Sequence, residues 1–109
     1  MTGYLFAEPT VAPEATIEDR FLAFHHTNPQ VYSELVSQAR SLRTRGAVNF
    51  ASIKLLYERL RWLHFIATKG KEEFKLNNDF RALYARLIMD QETDLQGFFR
   101  TRKREGEDE

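Results

Sequence analysis

The sequence predicts a mainly α-helical chain, a small four-helix domain, and three observations carry the prediction. Apolar side chains recur every three or four residues in four separate segments. Residues that start helices stand before these segments (Thr16, Asn28-Pro29, Ser52, Asn77-Asn78), and Gly46 and Gly70 follow the second and third. The chain has 109 residues, 42% hydrophobic and 13% aromatic with nine Phe, which is enough to close one core and too short for two.

The first helix follows from Thr16 and Asp19, spaced as a capping box with a carboxylate in the place of Glu. Ile17, Phe21 and Phe24 then share a face, giving a helix over about Ile17 to His26. Asn28 is placed to cap the second helix through its side-chain oxygen, and Pro29 suits the first helical position because its missing N–H would have no partner there. Val31, Leu35, Val36, Ala39 and Leu42 keep the helical period. Arg40, Arg43 and Arg45 gather near the C-terminal end, where the macrodipole favours cations, and Gly46 stops the helix.

Val48 and Phe50 alternate with Asn49, which predicts a strand of two or three residues before Ser52 caps the third helix. Leu56, Tyr57, Leu60, Leu63, His64 and Ala67 form one stripe of that helix, and Leu55, Trp62 and Ile66 form a second on a neighbouring face. A helix this apolar reads as the central one. Gly70 ends it, and Phe74 and Leu76 alternate around Lys75 as in a second short strand. Asn77 or Asn78 caps the fourth helix, with Asp79 in its first turn and Phe80, Leu83, Tyr84, Leu87 and Ile88 on its apolar face. Thr93 caps one further turn, Gly97 breaks it, and Phe98-Phe99 fold back on the core. If one or both short strands pair, the domain becomes a winged-helix-like variant.

The domain organisation predicted is a flexible N-terminal arm over residues 1–15, a single helical domain over 16–100 and a charged flexible tail over 101–109. Tyr4, Leu5 and Phe6 interrupt the arm and read as a tether to the chain's own core or as a contact for a partner. No basic region precedes an apolar stretch, and no apolar stretch approaches the roughly twenty residues that span a bilayer, so neither secretion nor membrane insertion is expected. The absence of cysteine excludes disulfides and thiolate chemistry.

Phe24-His25 with Asn28-Pro29 and Tyr32, Ser52-Ile53-Lys54 with Leu56, Glu58 and Arg61-Trp62, Phe74 to Asn78, and Tyr84 to Met89 resemble a family of small proteins encoded by tailed bacteriophages. The resemblance covers about residues 20 to 102. It implies a phage origin and the cytoplasm of a bacterial host, and it carries no catalytic residue onto this chain.

Nothing in the residues points to an enzyme or a cofactor. His25 and His26 are adjacent and so diverge on a helix, His64 is distant, and no spaced carboxylates or cysteines complete a metal site. Glu58, Glu72, Glu73 and Asp79 match no nuclease motif, and no phosphate loop or nucleophile elbow is present.

The formal net charge is zero but its distribution is uneven: residues 1–39 carry −4, residues 40–71 carry +7, residues 72–104 carry +1 and residues 105–109 carry −4. A basic middle with acidic ends could hold a polyanion locally. The function this predicts is a non-enzymatic phage regulator binding double-stranded DNA through Arg43, Arg45, Lys54, Arg61, Lys75, Asn77, Asn78 and Arg81. The cations would meet phosphates, and Asn and Arg at the start of the fourth helix would read base edges, with the run Arg100, Arg102, Lys103 and Arg104 as an outer contact. Against it, about eleven residues separate the third helix from the fourth, where a helix-turn-helix uses three or four. Two other readings stay open. The same residues serve as helix caps, dipole partners and surface ion pairs such as Glu58 with Lys54 or Arg61. Alternatively, the chain binds and modulates a host or phage protein through aromatic anchors drawn from Tyr4-Leu5-Phe6, Tyr57, Trp62 and Phe98-Phe99.

Overall fold

The structure, a computed structural model, describes residues 7–44 and 52–99. The expected Tyr4-Leu5-Phe6 contact, Arg45, the Gly46 stop, the Val48–Phe50 strand, the basic run from Arg100 and the tail lie outside the described residues.

Among the described residues the chain is mainly helical, with four α-helices: α1 (Ile17–Thr27), α2 (Pro29–Thr44), α3 (Ile53–Thr68) and α4 (Arg81–Gln91). Single 3-10 turns at Asn78–Phe80 and Thr93–Leu95 flank α4. Helix α3 packs against both α2 and α4, α1 packs against α2, and α4 also meets α2. The core between them is drawn from every helix: Phe21 and Phe24, Val31, Leu35 and Ala39, Leu56, Tyr57 and Leu60, then Tyr84, Ala85 and Ile88. Leu95, Phe98 and Phe99 close one end of it, so the Phe pair folds back as the sequence predicts.

The capping box forms as expected, with the Asp19 N–H donating to Thr16 Oγ1 at 3.1 Å and the Thr16 N–H to Asp19 Oδ2 at 3.2 Å. Ser52 caps α3 through its hydroxyl. At the other end of α3, Lys69 at φ 55° and Gly70 at φ 74° turn the chain left-handed. Their N–H groups bond to Ile66 O at 3.2 Å and Phe65 O at 2.9 Å, the two bonds of a Schellman motif.

The side chain of Asn28, fully buried, also reaches back beyond α2: its Nδ2 donates to Phe24 O and Ala7 O, and its Oδ1 accepts from the Ala7 N–H at 2.8 Å and from Gln30 Nε2, in the first turn of α2, at 3.5 Å. The carboxamide thus closes α1 and clasps the incoming chain together. Phe74–Leu76 is an irregular segment and not a strand, because Leu76 is buried and Phe74 is held against Arg61 and His64 by side-chain packing. The fourth helix begins with a 3-10 turn: the Asn77 side chain caps the Asp79 N–H at 2.8 Å, and the α-helix starts only at Arg81.

Candidate functional site

The sequence-predicted nucleic-acid residues fall into two groups. At the start of α4 the Tyr57 hydroxyl donates to Asn77 O at 3.2 Å, and the Arg81 Nε donates to Asn78 O at 3.1 Å. The Arg61 guanidinium lies 4.6 Å from the centroid of the Phe74 ring, so the segment carrying Lys75 and Asn77 runs along the flank of α3 that bears Arg61. Lys54 is seven residues before Arg61 and shares that flank. Lys75 and Asn77 also line a small hollow of about 160 Å3 with Glu8 and Arg20.

Arg43 belongs elsewhere. It lies close enough to Asp94 to help hold that carboxyl low, and Asp94 follows the C-terminal end of α4, about 16 Å along the helix from Arg81. The groups near Arg81 are also partly engaged by their own chain. Arg61 Nε pairs with Glu58 at 3.3 Å, Asn77 is a cap, and Arg81 is bonded to its own turn. Lys54 and Lys75 are exposed.

Arg40, in the basic segment, is paired with two carboxylates. Its Nε and Nη2 grip both oxygens of Asp94 at 2.9 and 3.0 Å, and its Nη2 reaches Glu92 at 2.6 Å. The Tyr32 hydroxyl donates to the other oxygen of Glu92 at 2.9 Å. This clasp ties α2 to the turn after α4, and it holds the Asp94 carboxyl below its usual range. No sequence signal marks it, because the partners are more than fifty residues apart.

The feature that stands out on the surface is apolar. Leu55, Trp62, Phe65 and Ile66 of α3 are each more than half exposed, Trp62 at 60%. Leu55, Trp62 and Ile66 are spaced by seven and then four, so they follow one line down the helix, with Phe65 stacked beside Trp62 at a ring separation of 6.5 Å. The sequence reading set this stripe beside the buried one and made α3 central. The structure corrects it: the two stripes lie nearly half a turn apart, and α2 and α4 cover only one of them. The helical positions contain the signal, since at about 100° per residue Leu55, Trp62 and Ile66 lie opposite Leu60 and His64.

Beside the stripe, α2 and α3 leave an open groove of about 760 Å3. Leu42, Leu55, Leu56 and Trp62 supply its apolar surface, and Glu34, Gln38, Glu58 and Arg59 supply its polar rim. Gln38 donates to Glu34 Oε2 at 3.2 Å while its buried Oε1 has no hydrogen-bond partner among the described residues. A contiguous patch of roughly 400 Å2, four large side chains each over half exposed, is of the size that marks association surfaces on soluble domains. No three His, Asp or Glu side chains among the described residues gather around a common point, and none of the described helices is long and apolar enough to cross a membrane. Comparison with protein-family models, with curated proteins and with solved structures finds no match to this chain.

Proposed function

We propose that the chain is a non-enzymatic interaction protein whose working surface is the outward face of α3 with the groove beside it, and whose ligand is another polypeptide. The supporting observation is the exposure of Leu55, Trp62, Phe65 and Ile66 on one helix face. Exposed aromatic and aliphatic side chains in one line, rimmed by Glu34, Glu58 and Arg59, suit an amphipathic helix that lays its apolar face into the groove. Trp62 is the natural anchor, because a large rigid side chain at the centre of a patch contributes most when water is excluded from it. The resemblance of the sequence to phage proteins supports, as the setting for this activity, the cytoplasm of an infected bacterium.

A photo-reactive amino acid at position 62 tests the reading in cells, with position 26 as the control, since His26 is exposed on α1. Position 62 is expected to form a covalent adduct with a polypeptide, a second copy included, and position 26 is not. No adduct from position 62 refutes the reading.

Double-stranded DNA is the second reading, favoured by the exposed Lys54 and Lys75 beside Arg61, Asn77, Asn78 and Arg81. It predicts affinity falling with a log-log salt slope of about −0.9 for each phosphate neutralised. Absence of binding to duplex DNA at low salt removes it.

A further inference from the structure

The apolar line on the outward face of α3 runs between cations. At about 100° per residue Leu55, Trp62 and Ile66 fall within about 40° of one another, and at about 1.5 Å per residue the line is about 16 Å long, or about three turns. Arg59 stands about 40° to one side of it, the side of Leu56 and the groove, at a height between Leu55 and Trp62. Glu58 and, further round, Lys54 and Arg61 stand on the other side. Lys69, the C-cap of α3, follows beyond Ile66. These charged side chains are exposed. Glu58 is matched by Arg61 at 3.3 Å, whereas Lys54, Arg59 and Lys69 form no ion pair among the described residues. Across the groove, Glu34 accepts from the Gln38 amide and leaves Arg59 unmatched.

We propose that the polypeptide received by this face is an acidic amphipathic helix, one with large apolar side chains at helical spacing over about three turns and with Asp or Glu beside them. The proposal rests on the reading of this face as a protein-binding surface and adds the charge of its ligand. Apolar contact along the line excludes water, and a carboxylate at its edge then meets cations that solvent screens less than in the free chain. Arg59 is central, level with the gap between Leu55 and Trp62, and its guanidinium can take a carboxylate through two parallel bonds. Lys54 and Lys69 lie toward the two ends, about 22 Å apart along the axis. They act as point charges that draw in an anionic helix and align it lengthwise. A helix with basic flanks would set like charges against the same cations, with Glu34 on the far wall as its compensation.

Trp62 is the chain's only tryptophan, so its emission reports directly on the covering of this face. Two synthetic helical peptides are titrated into the full chain. They share a line of Leu and Phe at three- and four-residue spacing and differ in carrying Glu or Lys at the flanking positions. The Glu peptide is expected to shift Trp62 emission to the blue and, at low salt, to bind roughly tenfold or more tightly than the Lys peptide. The preference should shrink at about 1 M salt, where the screening length is about 3 Å. Arg59 is exposed, so Arg59→Glu leaves the circular dichroism spectrum unchanged and moves the preference toward the Lys peptide. Glu34→Gln leaves the Glu peptide bound at least as tightly.

Equal binding of the two peptides, or a preference for the Lys peptide, overturns the acidic ligand and leaves the protein-binding surface intact. If neither peptide shifts the emission, the acidic ligand is overturned, and the photo-adduct at position 62 decides whether the surface falls with it. A chain that sediments as a dimer on its own, and as a monomer after Trp62→Asp, assigns the face to a second copy and overturns the acidic ligand. An oligothymidylate that shifts Trp62 emission at lower concentration than the Glu peptide assigns the exposed rings and their cations to single-stranded nucleic acid and removes both readings.

Discussion

Removing the hydroxyl of Tyr84 should stabilise the protein. Tyr84 is fully buried, and its OH has no hydrogen-bond partner among the described residues. The ring is well placed: Phe21 meets it edge-on at 4.7 Å, and Tyr57 and His25 stand against it at 6.5 and 6.3 Å. Burial alone pushes its ionisation above the ordinary tyrosine range, as expected of an oxygen surrounded by hydrocarbon and ring faces. A buried, unpaired hydroxyl costs about 1–3 kcal/mol. Tyr84→Phe recovers that cost and loses the dispersion contacts of one oxygen atom, several at about 0.1–0.2 kcal/mol each. The net gain is about 1 kcal/mol, which raises Tm by about 4 °C in a domain of this size.

Tyr57→Phe is the internal control, because that equally buried hydroxyl donates to Asn77 O at 3.2 Å and its loss should cost about 1 kcal/mol. Thermal and urea unfolding followed by far-ultraviolet circular dichroism read both variants. Opposite signs support the packing described. A Tyr84→Phe chain less stable than wild type would falsify it, since the hydroxyl would then have a partner.

Two further outcomes follow from titrating groups. Arg40 holds Asp94 by hydrogen bonds that depress its carboxyl below the ordinary 3.8, so the contribution of the clasp is present above that value and is lost as pH falls through the folded-state value. Arg40→Ala should therefore lower Tm at neutral pH and low salt, with the difference from wild type closing at strongly acidic pH and at high salt; a pH-independent difference refutes the ionic origin. The pKa of His25 is lowered, first by burial and then by the neighbouring charge of His26, and its buried Nδ1 has no hydrogen-bond partner among the described residues. The unfolded chain takes up its proton near 6.5 and the folded chain only at lower pH, so wild type should lose stability as pH falls below 6.5. His25→Phe keeps a ring against Phe21 and Tyr32 and should lose less stability over that window, and parallel Tm profiles for the two chains would count against the argument.

Local signals made the helices legible. Thr16 with Asp19, Ser52 and Gly70 act within five residues of their partners, Gly97 turns the chain at φ 77°, and each does in the structure what short-range chemistry dictates. The failures come from competition over longer distances. Asn28 has the residue type of a cap, and nothing local announces that its buried carboxamide also bonds Ala7, twenty-one residues away. Arg40 reads as a dipole partner near a helix end, but two carboxylates from beyond α4 reach it first. The predicted cationic face depended on the same kind of unseen geometry: the fold sets Arg43 near Asp94, beyond the C-terminal end of α4, and Arg81 at its start.

The case of α3 is different, because there the sequence contains the answer and the usual rule misdirects. A helix apolar on both sides is ordinarily an interior helix. That inference assumes enough other elements to cover both faces, and in this chain α2 and α4 take one side while α1 is engaged with α2. With α2 and α4 on that side of α3, the line through Leu55, Trp62 and Ile66 stays exposed. The stability of the domain gains little from Leu55, Trp62 and Ile66 in that position, since more than half of each remains in water. Residues that contribute little to folding and burden solubility in this way are what the proposed binding surface would account for.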